Sequence, residues 1–149
     1  ASKAYKAWQM HKENIMLQSA DWLKILADNP AIPLCVAGDF NQTRDGNKGG
    51  YGTTDCRNLL TQALEICNLC CVSEEDFGKN GKLHKDPKKG YPRRNIDHIC
   101  LSKSLLDNLE YIFIGAWDQF TENGQYMSDH NGVFVDFTLK EKVERSPTG

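Results

Sequence analysis

Residues 9–27 restrict the fold most, because the apolar residues of this stretch recur at steps of three and four positions. These residues are Ile15, Met16, Ala20, Trp22, Leu23, Leu26 and Ala27. Such spacing is typical of a helix that buries one face, and Asn29-Pro30 favours an end to the helix there. The chain is therefore predicted to begin with one long amphipathic helix.

Short apolar runs further along the chain predict strands. Residues 34–37, between Pro33 and Gly38, are continuously apolar and favour a strand covered on both faces. After a polar surface loop at 42–54, Thr54 or Asp55 can cap a second helix. Its predicted buried stripe is Leu59, Leu60, Ala63, Leu64 and Cys67. Further strands are predicted at 69–72, 95–101, 111–116 and 132–139, and helices mixed with such strands indicate a layered α/β or α+β sandwich.

Composition places the chain among single globular domains. Its 149 residues are 40% hydrophobic and 26% charged, which excludes disordered and collagen-like classes. No apolar run approaches the roughly 18 residues of a membrane span, and the opening residues lack a signal-peptide pattern. Four cysteines lie in apolar runs, where free thiols act as small buried hydrophobes: Cys35, Cys67, Cys71 and Cys100. We therefore expect a soluble, cytoplasmic protein.

Positive charge is concentrated in residues 79–94, where Asp86 is the single acidic residue. The basic residues are Lys79, Lys82, Lys85, Lys88, Lys89, Arg93 and Arg94. Such a segment is either a solvated surface loop or a loop that binds polyanions. Because it leads straight into Asp97, Arg93 and Arg94 are predicted to attract a phosphate-rich substrate such as DNA or RNA. Small phosphoesters and lipid headgroups remain alternatives, although no membrane-binding helix is visible.

Polar side chains interrupt or end the predicted strands in three motifs. They are Gly38-Asp39-Phe40-Asn41, Asn95-Ile96-Asp97-His98-Ile99 and Ser128-Asp129-His130. In the first, Asp39 and Asn41 point the same way if the strand continues, so a carboxylate that orients water adjoins an amide that can bind a phosphoryl oxygen. The alternative is an Asx turn that closes the strand.

Asp97 lies in an apolar strand and needs a partner, since an unpaired carboxylate there costs several kcal/mol. His98 points to the opposite face and is the poorer partner, and His130 is a candidate for a general base held by Asp97. The alternative for His130 is a structural histidine. Asp129 is predicted to bind a hard cation such as Mg²⁺.

In this order and spacing, the three motifs resemble the last three signature motifs of the endonuclease/exonuclease/phosphatase superfamily, which includes deoxyribonuclease-I-like nucleases and inositol phosphatases. The resemblance implies that residues 1–140 form the C-terminal half of a four-layer α/β/β/α sandwich, with mostly antiparallel or mixed sheets flanked by helices. Residues 141–149 are expected to be a polar tail. An earlier segment of the family, which carries the principal metal-binding Glu, has no counterpart in this sequence.

The resemblance implies a phosphoester hydrolase that depends on Mg²⁺ or Mn²⁺. His130 with Asp97 would form the base or phosphate-activating pair, Asp39 and Asn41 would orient water and phosphate, and Asp129 would contact metal. Weak or no activity is expected of the chain alone, and its uncovered sheet predicts self-association or pairing with the missing half. The alternative function is a binding or scaffold module without catalysis.

Overall fold

The computed structural model describes residues 2–86 and 88–141, so most of the predicted tail lies outside the described residues. The helices are α1 (Lys3–Asp28), α2 (Thr54–Ile66) and the short α3 (Lys103–Leu106). The strands are β1 (Cys35–Asp39), β2 (Leu69–Cys71), β3 (Asp97–Ser102), β4 (Leu109–Trp117) and β5 (Gly132–Leu139). The fold is α+β, as the sequence predicts. Within the described ranges, no helix is long and apolar enough to cross a membrane.

The strands form two antiparallel groups. In the first, β3 lies between β1 and β2, with Asp97 opposite Asp39 at one end and Ser102 opposite Leu69 at the other, and Cys100 lies opposite Cys71. In the second, β4 and β5 form a two-stranded sheet, and β5 also contacts β3. That contact brings the segment before β5 towards the first residue of β3.

Helices α1 and α2 begin at polar caps and pack on one face of the first sheet. The Ser2 Oγ accepts a hydrogen bond from the Tyr5 backbone nitrogen at 3.2 Å. Thr53, rather than Thr54 or Asp55, caps α2, and its Oγ1 accepts from the Cys56 nitrogen at 3.2 Å. A side-chain oxygen at this position satisfies a backbone N–H that the helix itself leaves unpaired.

The core lies between these helices and the sheet. Its buried residues are Ile15, Trp22, Leu60, Ala63, Leu64, Cys67, Leu69 and Cys100. The stripe predicted for α1 is too wide, since Met16, Ala20, Leu23 and Ala27 are exposed. Of the predicted stripe, Ile15 and Trp22 are buried and Leu26 is half-buried, and these three residues pack in the core beside α2 and the sheet.

The opposite face of the sheet is uncovered along β1. Cys35, Ala37 and Asp39 are exposed, so the prediction that this strand is covered on both faces is wrong, and Cys35 is not a buried thiol. Among the described residues, β1 has a strand neighbour on one side only, and the helices pack on one face. The open face carries the candidate active site.

Candidate active site

Strand pairing sets two carboxylates side by side. The Phe40 nitrogen donates to the Ile96 carbonyl at 3.0 Å, and the Ser102 nitrogen donates to the Leu34 carbonyl at 2.9 Å. Because hydrogen-bonded and non-hydrogen-bonded pairs alternate along antiparallel strands, Asp39 and Asp97 form a non-hydrogen-bonded pair. Side chains approach most closely at such pairs, so both carboxylates meet at the end of the open face.

His130 joins these carboxylates from the segment just before β5. Its Nδ1 lies 2.7 Å from Oδ2 of Asp97, and its backbone nitrogen donates to the Ser128 Oγ at 3.0 Å. One ligand atom from each of Asp39, Asp97 and His130 lies within 4.8 Å of the other two. A carboxylate that accepts from Nδ1–H leaves Nε2 as the basic nitrogen of a neutral imidazole. Three separate segments therefore deliver two acids and a potential base to one spot.

Asp39 and Asn41 are linked by a turn. The Asn41 backbone nitrogen donates to Oδ1 of Asp39 at 2.7 Å, and Asn41 has a φ of 51°, which asparagine tolerates better than most residues. The strand therefore ends at Asp39, and the extended geometry assumed for the pair does not continue. Both residues nevertheless line one cavity of about 400 Å³ beside α1.

His98 is a satisfied structural histidine on the opposite face of β3. Its Nε2 lies 2.9 Å from the Gln42 carbonyl, which can only accept, so Nε2 carries the proton. Its Nδ1 lies 3.2 Å from the Ser73 Oγ and accepts from that hydroxyl. With 2% of its surface exposed, His98 packs the core below the site.

Arg94 holds the loop at 42–54. Its Nε donates to Oδ2 of Asp45 at 2.7 Å, its Nη2 donates to the other oxygen of the same carboxylate, and Nη2 also reaches the Asn47 carbonyl at 3.1 Å. A bidentate pair of this kind is directional as well as charged. The guanidinium predicted to bind substrate is thus engaged inside the protein.

This ion pair makes a testable contribution to stability. Burial acts to raise the pKa of Asp45, but the hydrogen bonds and charge of Arg94, with the Asn47 contacts, outweigh burial and lower it. A carboxyl group whose pKa is lower in the folded state than in the unfolded state stabilises the fold at pH values above its unfolded-state pKa. This stabilisation is lost as the pH falls through the folded-state pKa. Asp45→Asn should therefore cost about 2 kcal/mol near pH 7, and the difference from the unsubstituted chain should shrink below about pH 4. Urea unfolding at pH 7, 5 and 3 measures this; a pH-independent difference would contradict it.

Arg93 and Asp129 lie outside the group of three. The Arg93 carbonyl accepts from the Asn131 side chain at 3.0 Å, and Arg93 lines a wide cleft of about 600 Å³ together with Lys85 and Trp117. The same Asn131 is the chain neighbour of His130, so this cleft adjoins the site. Asp129 is exposed, and its carboxylate is not among the three ligand groups that meet.

His11 is a site neighbour that the sequence analysis missed. It lies on α1 and lines the cavity that contains Asp39 and Asn41, and its Nε2 is buried without a hydrogen-bond partner among the described residues. Burial lowers the pKa of His11, while the charge of Asp39 acts to raise it. Helical spacing could have identified this residue, because His11 precedes the buried Ile15 by one helical turn and therefore lies on the same face of α1.

Comparisons with known proteins leave the family open. No protein-family model matches the chain, and no curated protein matches it with significant similarity. The case for a function therefore rests on the residues that meet at the open face and on the likeness of their three motifs to one superfamily.

Proposed function

We propose that this chain carries part of the active site of a divalent-metal-dependent phosphoester hydrolase, in which water attacks phosphorus. The observation that carries the proposal is the meeting of Asp39, Asp97 and His130, which come from three motifs far apart in sequence. Two acids beside an oriented histidine can hold a cation and move a proton at one place. Phosphoester hydrolysis needs both.

The donor atoms suit Mg²⁺ or Mn²⁺. One oxygen of Asp97 bonds His130 and one oxygen of Asp39 accepts from the Asn41 N–H, which leaves one carboxylate oxygen on each for a cation. Mg²⁺ is commonly held by one or two carboxylates together with water and substrate phosphate. A bound ion would stabilise the charge that develops on the phosphoryl oxygens. Asp129, which lies between Ser128 and His130 in the chain, is proposed as an additional ligand of the cation.

The side chains have separable roles in this proposal. Asp97 holds His130 through Nδ1, so that Nε2 is available to take a proton from water or to hydrogen-bond a phosphoryl oxygen. Asp39 orients the attacking water, and Asn41 offers a neutral amide that binds phosphate without repelling it. Arg93, in the adjoining cleft, attracts the anionic substrate. Arg94 supports the neighbouring loop instead of contacting substrate.

Nucleic acid is the substrate class we favour. The cleft beside the site contains Arg93, Lys85 and the exposed aromatic ring of Trp117. Its lining also includes the acidic residues Asp86, Asp118 and Glu122, so the nucleic-acid assignment rests on the local placement of Arg93 and Trp117 and not on the net charge of the cleft. Such cations attract phosphates whatever the base sequence, and unpaired bases stack on aromatic rings.

The uncovered face of β1 next to Asp39 also supports pairing with a second copy or with a chain that carries the other half of the domain.

The proposal is tested by metal-dependent cleavage. Plasmid DNA and bis(p-nitrophenyl) phosphate are incubated with the chain and MgCl₂ or MnCl₂, and parallel reactions contain EDTA. Isothermal titration calorimetry, with Mn²⁺ added to the metal-free chain, measures metal binding independently of catalytic activity. We expect Mn²⁺ binding, and weak cleavage that EDTA abolishes. A chain that binds no Mn²⁺ and cleaves neither substrate would favour a binding or scaffold module.

A further inference from the structure

Two cysteines face each other across β2 and β3. Cys71 is opposite Cys100, and the flanking bonds run from the Val72 nitrogen to the Ile99 carbonyl and from the Lys103 nitrogen to the Asn68 carbonyl, each at 2.9 Å. Bonded pairs alternate with unbonded ones, so Cys71 and Cys100 occupy a non-hydrogen-bonded position. Both side chains point to the helix-covered face, away from Asp97.

The spacing of such a pair permits a covalent bridge. Directly opposed residues in non-hydrogen-bonded positions have Cα atoms about 4.5 Å apart. Disulfides form across Cα separations of roughly 4.4 to 6.8 Å. Both cysteines are free thiols in this structure. Because the spacing of the two strands already suits a disulfide, oxidation requires no shift in strand register.

The two thiols differ in environment. Cys71 is half-buried and its Sγ lies 3.7 Å from the Ser73 Oγ, whereas Cys100 is fully buried. Contact with the Cys100 thiol lowers the pKa of Cys71 in spite of burial. The same contact, with burial, raises the pKa of Cys100. A partly accessible cysteine of lowered pKa beside a second thiol is the usual arrangement of a redox-responsive cysteine pair.

We propose that Cys71 and Cys100 form a peroxide-responsive site, in which Cys71 is oxidised first and Cys100 closes a cross-strand disulfide. The Cys71 thiolate attacks one oxygen of hydrogen peroxide, the O–O bond breaks, and hydroxide leaves and takes up the proton released by Cys71. The Cys100 sulfur then attacks the sulfenic sulfur, the S–O bond breaks, and water leaves with the Cys100 proton. Two thiols are oxidised and one peroxide is reduced to two waters.

The experiment is peptide mapping of the reduced chain after treatment with hydrogen peroxide. Free thiols are alkylated, the chain is digested without reductant, and cross-linked peptides are identified by mass spectrometry. We expect a Cys71–Cys100 peptide that disappears with dithiothreitol. Recovery of both cysteines as free thiols, while the exposed Cys35 or Cys70 is oxidised, would overturn the proposal.

Two variants separate the steps. In Cys100→Ser, oxidation should stop at a sulfenic acid on Cys71, which dimedone labels at least about tenfold more than in the unsubstituted chain. Cys70→Ser is the matched control, because Cys70 adjoins Cys71 but is exposed, and it should leave the disulfide intact. A bridge that joins Cys71 to Cys67 or Cys70 instead would refute the assignment of Cys100. The mapping of the unsubstituted chain decides the matter even where Cys100→Ser fails to fold.

Discussion

Replacement of His130 with Ala should lower metal-dependent phosphodiester cleavage by at least about a hundredfold, because a positioned acid–base group contributes about 10² to 10⁴ to such rates. The imidazole is held by Asp97 at 2.7 Å, so the substitution removes the base that is oriented beside the two carboxylates. Initial rates with bis(p-nitrophenyl) phosphate at saturating MnCl₂ give the comparison. His130 is partly exposed, so the variant should keep its fold.

His84→Ala is the matched control for this substitution. His84 also forms a histidine–aspartate pair, with Nδ1 2.6 Å from Oδ2 of Asp118, and it is not part of the group formed by Asp39, Asp97 and His130. Its loss removes the same type of side chain and the same type of contact. His84 lines the cleft that contains Arg93, so the control is measured with bis(p-nitrophenyl) phosphate, which is too small to need that cleft, and its rate should change by less than about threefold. Equal losses in both variants, or unchanged activity in His130→Ala, would remove His130 from the mechanism.

The periodic parts of the fold were predictable from sequence. The strand predicted at 132–139 coincides with β5, because its side chains alternate and Gly132 marks its start. The long helix was placed correctly but begins earlier, at Lys3, because the Ser2 cap lies outside the apolar repeat. Apolar periodicity identifies the part of a helix that packs, whereas caps decide where the helix begins.

Partners distant in sequence were predictable only where an energetic need existed. Burial of a carboxylate in an apolar strand indicated that Asp97 needs a partner, and the motif resemblance pointed to His130; the structure brings the two together. No such need pointed to the pairing of Arg94 with Asp45, so Arg94 was assigned to substrate. An arginine near a motif looks the same in sequence whether it binds a phosphate or a neighbouring loop.

Strand register also lies beyond what sequence patterns reveal. Asp39 was expected to act with Asn41, its neighbour in sequence, yet its nearest acidic neighbour in the site is Asp97, across the sheet. A shift of one residue would have sent these carboxylates to opposite faces. The exposure of one face of β1 could not be predicted either, because an apolar run describes the residues of a strand and not the elements that cover it.

Replacement of Asp39 with Asn should make the metal-free chain slightly more stable while it removes most of its activity. Like charges directly opposite on neighbouring strands are destabilising, and the amide relieves that repulsion from Asp97. The gain should be about 0.5 kcal/mol, which corresponds to a rise in Tm of roughly 1 to 2 °C. The Asn side-chain oxygen can still accept the Asn41 N–H, so the turn is retained.

The same substitution should weaken Mg²⁺ binding at least about tenfold, since even residues that only support a metal ligand contribute 10- to 100-fold to affinity. Mg²⁺ that binds the folded chain raises its Tm, so a titration of Tm against MgCl₂ separates repulsion from metal binding. Asp136→Asn is the control, because Asp136 is an exposed strand residue that faces Phe113 instead of an acid, and it should change neither quantity. If the opposed carboxylates form a cation site, Asp39→Asn should raise the Tm of the metal-free chain and reduce the rise in Tm that MgCl₂ produces. A lower metal-free Tm with an unchanged Mg²⁺ response would mean that Asp39 only closes the strand.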